Sequence, residues 1–264
     1  NITIPNSVTT IGKGAFYGCS SLTSITIPNT VTTIGSCAFW GCSSLTNITI
    51  PDSVTTIGNQ TFYGCSSLEK MSQPFEGKSR GKWSGSYPEY DVFGYIFGYG
   101  TTSTAETVRQ LSSYYYYIPK SLREVEIRGG QIKNSAFRNC SFLTKVTVPS
   151  DLSEVGTSAF EECSGLKGIE LPETVETIGS SAFYNCSGIT EIKLPVNLKT
   201  VSTDAFYGCT GITKVEISDI EKYLNISFSN KTAHPNYAGT KPELYLNGEK
   251  ITSLVIPDSV TSIG

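Results

Sequence analysis

Histidine and methionine each occur once in these 264 residues, and tryptophan twice. The only histidine, His234, has no second imidazole or thiol beside it, so it reads as a loop residue and not as part of a metal or nucleophile constellation. No Cys-x-x-Cys pair exists among the eight cysteines, which removes the usual zinc spacings. No Gly-rich phosphate loop is present either. Charge is sparse: 20 basic against 23 acidic side chains leave a net charge of −3. That offers no electrostatic basis for holding nucleic acid or an anionic membrane. No run of 18 or more apolar residues occurs, so no segment reads as a spanning helix.

What the chain has is repetition. "AFYGCSSLTSITIP" (15–28) returns almost unchanged as "AFWGCSSLTNITIP" (38–51). Strand-like triplets begin at Ile2, Ile25, Ile48, Met71, Val125, Val146, Ile169, Ile192, Val215 and Leu254, and six of these nine steps are 23 residues. Phe16, Phe39, Phe62, Phe137, Phe160, Phe183 and Phe206 form a second column, and Cys19, Cys42, Cys65, Cys140, Cys163, Cys186 and Cys209 a third. Three columns in one register predict a solenoid, because each repeat has an apolar face that only its neighbours can bury.

Within a repeat, Ile25 and Ile27 alternate with Ser24 and Thr26, the period of a half-buried strand. Copies stacked about 4.8 Å apart make a parallel sheet. Pro28 ends the strand, Val31 and Ile34 turn inward on a second wall, and Gly35 reads as a tight-turn glycine. Phe39 fills the middle and Cys42 the corner.

The stretch "LTSITIPNTVTTIGSCAFWGCSSL" (22–45) resembles the BspA-like class of leucine-rich repeats, whose pattern is roughly L-x-x-I-x-I-P-x-S-V-x-x-I-G-x-x-A-F-x-x-C-x-x-L. The likeness covers 1–74 and about 120–218 and resumes at 251. It implies a right-handed superhelix, rich in β-structure, with one parallel sheet and short helical or 3-10 turns. It also implies a place on the cell surface or in secretion, used for adhesion, and it brings no catalytic residue and no cofactor. The expectation is one solenoid over 1–264, cut from a longer array, since Asn1 falls in register with Ser24 and Asn47.

The cysteine column reads as reduced. Parallel Cβ atoms at layer spacing sit farther apart than the roughly 3.8 Å a disulfide favours, whereas small buried thiols fill a corner and weakly cap backbone groups. Cys37 falls outside the column, at an outward turn position, and is expected to be an exposed free thiol.

Two stretches break the period. From its Pro to the next Leu a repeat takes 17 residues, but Pro74 to Leu122 takes 48. In this aromatic-rich insert (75–121), Phe93, Ile96 and Phe97 have the size to replace the missing Ala-Phe of that layer. For Trp83, Tyr114, Tyr115, Tyr116 and Tyr117, partner contact and loop packing stay open. In the second insert (218–250), "DIEKYLNISF" reads as a short helix and "LYLNGEKI" as a hairpin turning on Asn247-Gly248. Asn225 and Asn230 are the loop sequons most open to glycosylation in a eukaryotic setting.

Residues 1–70 hold only four charges, Lys13, Asp52, Glu69 and Lys70. The early sheet face therefore presents Thr3, Thr26 and Thr49, while later layers alternate acid and base and are expected to pair across strands. The function expected is recognition without catalysis, by a monomer, of a protein or glycan from a host or neighbouring cell. The alternative is a structural spacer displaying another domain.

Overall fold

The computed structural model describes residues 2–75, 77, 92–100, 107–111, 113–237, 241–253 and 256–257. Trp83 and the triplet at Leu254 lie outside these. The chain divides into two compact units, Asn1–Gly130 and Gln131–Gly264.

In the first unit the triplets form parallel ladders in the register the columns demand. Ile2–Thr3 pairs with Ile25–Thr26, Ile2 opposite Ile25. Asn47–Thr49 pairs with Lys70–Gln73, which pairs in turn with Glu124–Ile127, Met71 opposite Val125. The ladder thus passes over the long insert without losing a rung. A second wall of parallel strands, Thr10–Ile11, Thr33–Ile34 and Thr56–Ile57, runs alongside in the same register. Inside, Val31, Ile34, Phe39, Cys42 and Leu45 are all fully buried.

In the second unit Glu154–Val155, Thr177–Ile178, Thr200–Val201 and Ser227–Phe228 make the second wall. On the sheet side, Glu191–Lys193, Lys214–Ile217 and Glu243–Leu246 are parallel neighbours. The expectation of one sheet containing every triplet needs correcting at two places: Ile25–Thr26 and Asn47–Thr49 belong to separate ladders, and the Ile169 triplet carries no strand. Gly168 stands there where the other layers place Ser24, Asn47, Lys145 or Glu191, and a glycine without a cross-strand side chain weakens a strand.

A second correction concerns the 218–250 insert. The helix Ile220–Leu224 forms as read, capped by the Asp219 carboxylate accepting from Lys222 N–H at 2.9 Å. The hairpin Glu243–Leu246 with Glu249–Lys250 also forms, turning on Asn247 (φ 51°) and Gly248 (φ 85°). Yet its first strand is a solenoid rung: Leu244 sits opposite Val215 and Leu246 opposite Ile217. Phe228 likewise joins the second wall opposite Val201. The insert is an irregular layer that keeps both ladders, because the apolar faces of Val215 and Val201 must be covered by something.

The phenylalanine column is a continuous stack within each unit. Phe16–Phe39 and Phe39–Phe62 centroids lie 5.2 and 5.4 Å apart, and Phe137 through Phe206 repeat at 5.3–5.4 Å. Each layer also hooks to the next by its backbone: Phe16 N–H donates to Ala38 O at 2.8 Å and Phe39 N–H to Thr61 O at 2.9 Å. Phe62 N–H donates to Ile96 O at 2.9 Å. Ile96 therefore takes the alanine slot and Phe97 the phenylalanine slot of the layer that lacks its own, as the sequence reading expected. Phe93, Ile96 and Phe97 are fully buried in a 3-10 helix, Phe93–Phe97.

All eight cysteines are free. Cys65, Cys163, Cys186 and Cys209 each donate to the phenylalanine carbonyl one layer back, at 3.3, 3.0, 2.9 and 2.9 Å. Burial pushes the Cys65 and Cys209 thiols up to about 12, so they do not ionise near neutrality and make no nucleophile. Cys37 departs from the expectation of full exposure. It is half-buried at φ 57°, and its Sγ lies 3.8 Å from Gln60 Oε1 of the next layer. Its turn conformation lays the side chain along the column and not outward. Thiol titration of the native protein should label Cys37 and Cys19 first, with the buried column reacting only after unfolding. Finding three or more disulfides in unreduced material would overturn this reading.

Candidate binding surfaces

In the first unit the outward residues of the sheet line an open trough containing Ser24, Thr26, Asn29, Asn47 and Thr49, with Asp52 and Arg128 at its edge. Strand alternation fixes this placement: Ile25 and Ile48 are buried, while Thr3, Thr26 and Thr49 are exposed. Arg128 closes the edge. Its Nε and Nη2 both lie 3.0 Å from Asp52 Oδ1, and the guanidinium also bonds Ser72 Oγ and Ile50 O, with Glu126 at 3.9 Å.

Several hydroxyls in the segments leading into the second-wall strands join successive layers, while those of Thr10, Thr33 and Thr56 on the strands themselves have no partner among the described residues. Thr30 donates to Val8 O at 2.7 Å, Thr32 to Thr9 O at 3.3 Å, Ser53 to Val31 O at 2.7 Å and Thr55 to Thr32 O at 3.2 Å. These tie successive layers together. On the sheet face, the Thr26 and Thr49 hydroxyls have no hydrogen-bond partner among the described residues.

The insert adds a small antiparallel sheet of Tyr99–Gly100, Tyr114–Tyr116 and Val108–Leu111. Tyr114, Tyr115 and Tyr117 are half-buried. Tyr116 is instead fully buried and presents nothing to a partner. Its ring packs where Gly94 has no side chain, since a Cβ there would come within 2.4 Å of Tyr116 Cγ. Tyr115 lies beneath the Arg109 guanidinium, 6.0 Å away.

One feature escapes the sequence reading. The residues after the phenylalanines, Tyr17, Trp40 and Tyr63, stack on one another at 5.7 and 4.1 Å, and Tyr117 meets Tyr63 edge-on at 5.1 Å. The Tyr-for-Trp exchange, one of two differences between the copies at 15–28 and 38–51, marks this column. The rings cover one another's faces, so the column is chiefly a staple between layers. The second unit staples the same positions with an Arg138–Glu161 pair at 2.6 Å and a Tyr184–Tyr207 stack at 5.2 Å.

The second unit's sheet face is charged and cross-paired, as expected from its alternation. Lys214 contacts Glu191 at 2.7 Å and Glu216 at 3.1 Å, and Lys193 contacts Glu173 at 2.6 Å. Such exposed pairs contribute little to stability but leave few cations without a counter-charge.

His234 is more than a loop residue. Its Nδ1 accepts from Asn236 N–H at 3.0 Å, so the neutral ring carries its proton on Nε2, which lies 3.0 Å from the Tyr223 hydroxyl. The ring also packs 4.4 Å from Phe228. Burial lowers its pKa from 6.5 to about 4. Above pH 6.5 the ring is neutral in folded and unfolded chains alike; below it the unfolded chain takes up the proton first. Stability should therefore fall as pH drops from 6.5 towards 4, and a pH series of melting temperatures on wild type and His234→Gln should show a shallower slope for the variant. Nearby, the Asn230 side chain caps Ala233 N–H at 2.8 Å and bonds Asp204 at 3.1 Å. Of the two loop sequons, Asn230 is half-buried and Asn225 exposed, and the amide of each is held, that of Asn225 donating to Glu221 O at 2.9 Å.

No cluster of three or more His, Cys, Asp or Glu suited to a metal occurs among the described residues. No described helix is long and apolar enough to cross a membrane. Among curated proteins, none matches the chain. A leucine-rich repeat protein from Bacteroides ovatus is similar in structure, with 28% identity and a TM-score of 0.54, over 86% of this chain and 53% of that one. The chain thus spans about half the length of that relative. A leucine rich cell surface protein from Faecalibacterium prausnitzii aligns with 26% identity and a TM-score of 0.35, over 85% of this chain and 62% of that one. The family described as BspA type Leucine rich repeat region matches residues 1–83 and 106–234 in 6 copies. With its stacked Phe and Cys columns and parallel ladders on two walls, the chain belongs to the BspA-type leucine-rich repeat family.

Proposed function

We propose that this chain is a non-enzymatic recognition module of a cell-surface or secreted protein. It acts as a monomer, and its partner is a protein or glycan of a host or neighbouring cell. The observation that carries this reading is the exposed row Thr3, Thr26 and Thr49. The hydroxyls of Thr26 and Thr49 face outward on a charge-poor sheet and have no hydrogen-bond partner among the described residues. The half-buried Tyr114, Tyr115 and Tyr117 supply an aromatic rim at the insert, and Trp83 is assigned to the same contact.

The test is to screen the fragment against arrays of matrix proteins and glycans. Binding that falls when Thr49→Lys is introduced supports the reading. Trp83→Ala should weaken that binding by about 2 kcal/mol, as for an interface anchor, with the melting temperature unchanged. Uniform silence across both arrays would favour a spacer that displays another domain.

A further inference from the structure

We infer that the trough over Ser24, Thr26, Asn29, Asn47 and Thr49 takes a linear neutral glycan. This rests on the recognition reading above and names the ligand class of its first-unit surface.

Three observations select that class. The trough is nearly free of charge: of the residues lining it, only Asp52 and Arg128 are ionised, and they pair with each other at 3.0 Å. Arg128 is further engaged by Ser72, Ile50 O and Glu126, so an anionic ligand finds no available cation in it. Protein interfaces draw their energy from Trp, Tyr and Arg anchors in desolvated centres. The trough has no aromatic residue, its only Arg is committed, and its apolar floor of Ile25, Ile27, Ile48 and Pro51 is buried. What it does offer is the Thr26 and Thr49 hydroxyls and the Asn29 carboxamide, each able to donate and accept. Beside them is the Asn47 carboxamide, whose Nδ2 donates to Thr46 Oγ1 at 3.0 Å and whose oxygen can still accept. This is the chemistry that matches sugar hydroxyls.

The third observation is periodicity. Thr3 and Thr26 are register partners in adjacent layers, and Asn47 and Thr49 hold the same points of the repeat as Ser24 and Thr26, 23 residues on, in a neighbouring ladder. Layers recur about every 4.8 Å, so the surface presents one set of contacts again and again. A polymer of identical units can satisfy such a row unit by unit, and individually weak contacts then reinforce one another. A globular partner has no matching repeat.

The experiment uses the chain as it stands. Neutral glucan, mannan and galactan oligosaccharides are immobilised, and binding is measured for wild type and for Thr26→Val/Thr49→Val. That double variant keeps the β-branched shape of both strand positions and removes only the hydroxyls. The expected result is binding of at least one neutral glycan, insensitive to added salt, and weakened about tenfold or more in the double variant, as two lost hydrogen bonds require. The melting temperature should not change. Glycan binding that the double variant leaves intact would overturn the inference. So would binding to a matrix protein, lost in the double variant, while all neutral glycans stay silent; in that case the recognition reading survives and the glycan does not. Silence of every glycan and every protein would overturn both.

Discussion

Truncating Phe97 to alanine is expected to cost about 3–5 kcal/mol, the range for removing a buried aromatic from a packed core. Phe97 is fully buried. Its ring stands 6.2 Å from Phe62 and 5.3 Å from Phe93, so it both ends the first unit's phenylalanine stack and anchors the insert. Truncation leaves a void that Phe93 cannot fill without losing its own contacts. It also loosens the Phe62 N–H to Ile96 O bond that ties the insert to the preceding layer. Phe16→Ala is the internal comparison: Phe16 is only half-buried, and its truncation should cost markedly less. Denaturant unfolding of both variants measures the difference. A Phe97→Ala penalty below that of Phe16→Ala would show that the insert lies against the solenoid without completing its core.

Much of this arrangement is legible in the sequence because a solenoid writes its long-range contacts as a period. Ile25 faces Ile2 because both stand at the same point of the repeat, and the same holds for the Phe and Cys columns. The plugging role of Phe93, Ile96 and Phe97 could be read because one layer lacked its Ala-Phe pair. Reading failed where geometry was kept and the period was not. Leu244 completes the rung after Val215 at a spacing of 29 residues, so it registered as half of a hairpin although its partner across the layer is Val215. The burial of Tyr116 depends on the missing side chain of Gly94, 22 residues away, and no pattern connects the two. The trough is partly legible: the charge-poor stretch and the Thr row are plain in sequence, but only the structure brings Arg128 against Asp52 at its edge, 76 residues apart in the chain. The glycine of each "TIG" was misread in kind. Gly35 and Gly58 are not among the left-handed residues, so a tight turn does not explain them. The reason lies in the preceding layer.

That reason makes Gly58→Ala the second variant expected to have a large effect. A Cβ on Gly58 would stand 2.2 Å from Ser36 N and 2.5 Å from Ser36 Cα, and one on Gly35 would stand 2.6 Å from Lys13 N. In both cases the obstacle is main chain and not a side chain that could swing away. Gly58 N–H is held to Ile34 O at 2.8 Å, so relief requires stretching that bond and parting two layers whose ring stack and wall ladder are both in contact. Overpacking of this kind costs about 1–3 kcal/mol when neighbours can shift, and the rigid backbone here sets Gly58→Ala at about 3 kcal/mol or above. Gly18→Ala separates this cause from backbone conformation. Gly18 has φ +71° and open space around the missing Cβ, so alanine there meets only the left-handed penalty of roughly 1–2 kcal/mol. Melting both variants beside wild type should rank Gly58→Ala as clearly the less stable, with Cys42 and Cys65 becoming reactive to thiol reagents sooner as the layers part. Equal losses for the two glycines would mean that the layers yield at Gly58 as easily as an open turn does, and close backbone approach would then not be what demands a glycine at Gly35 and Gly58.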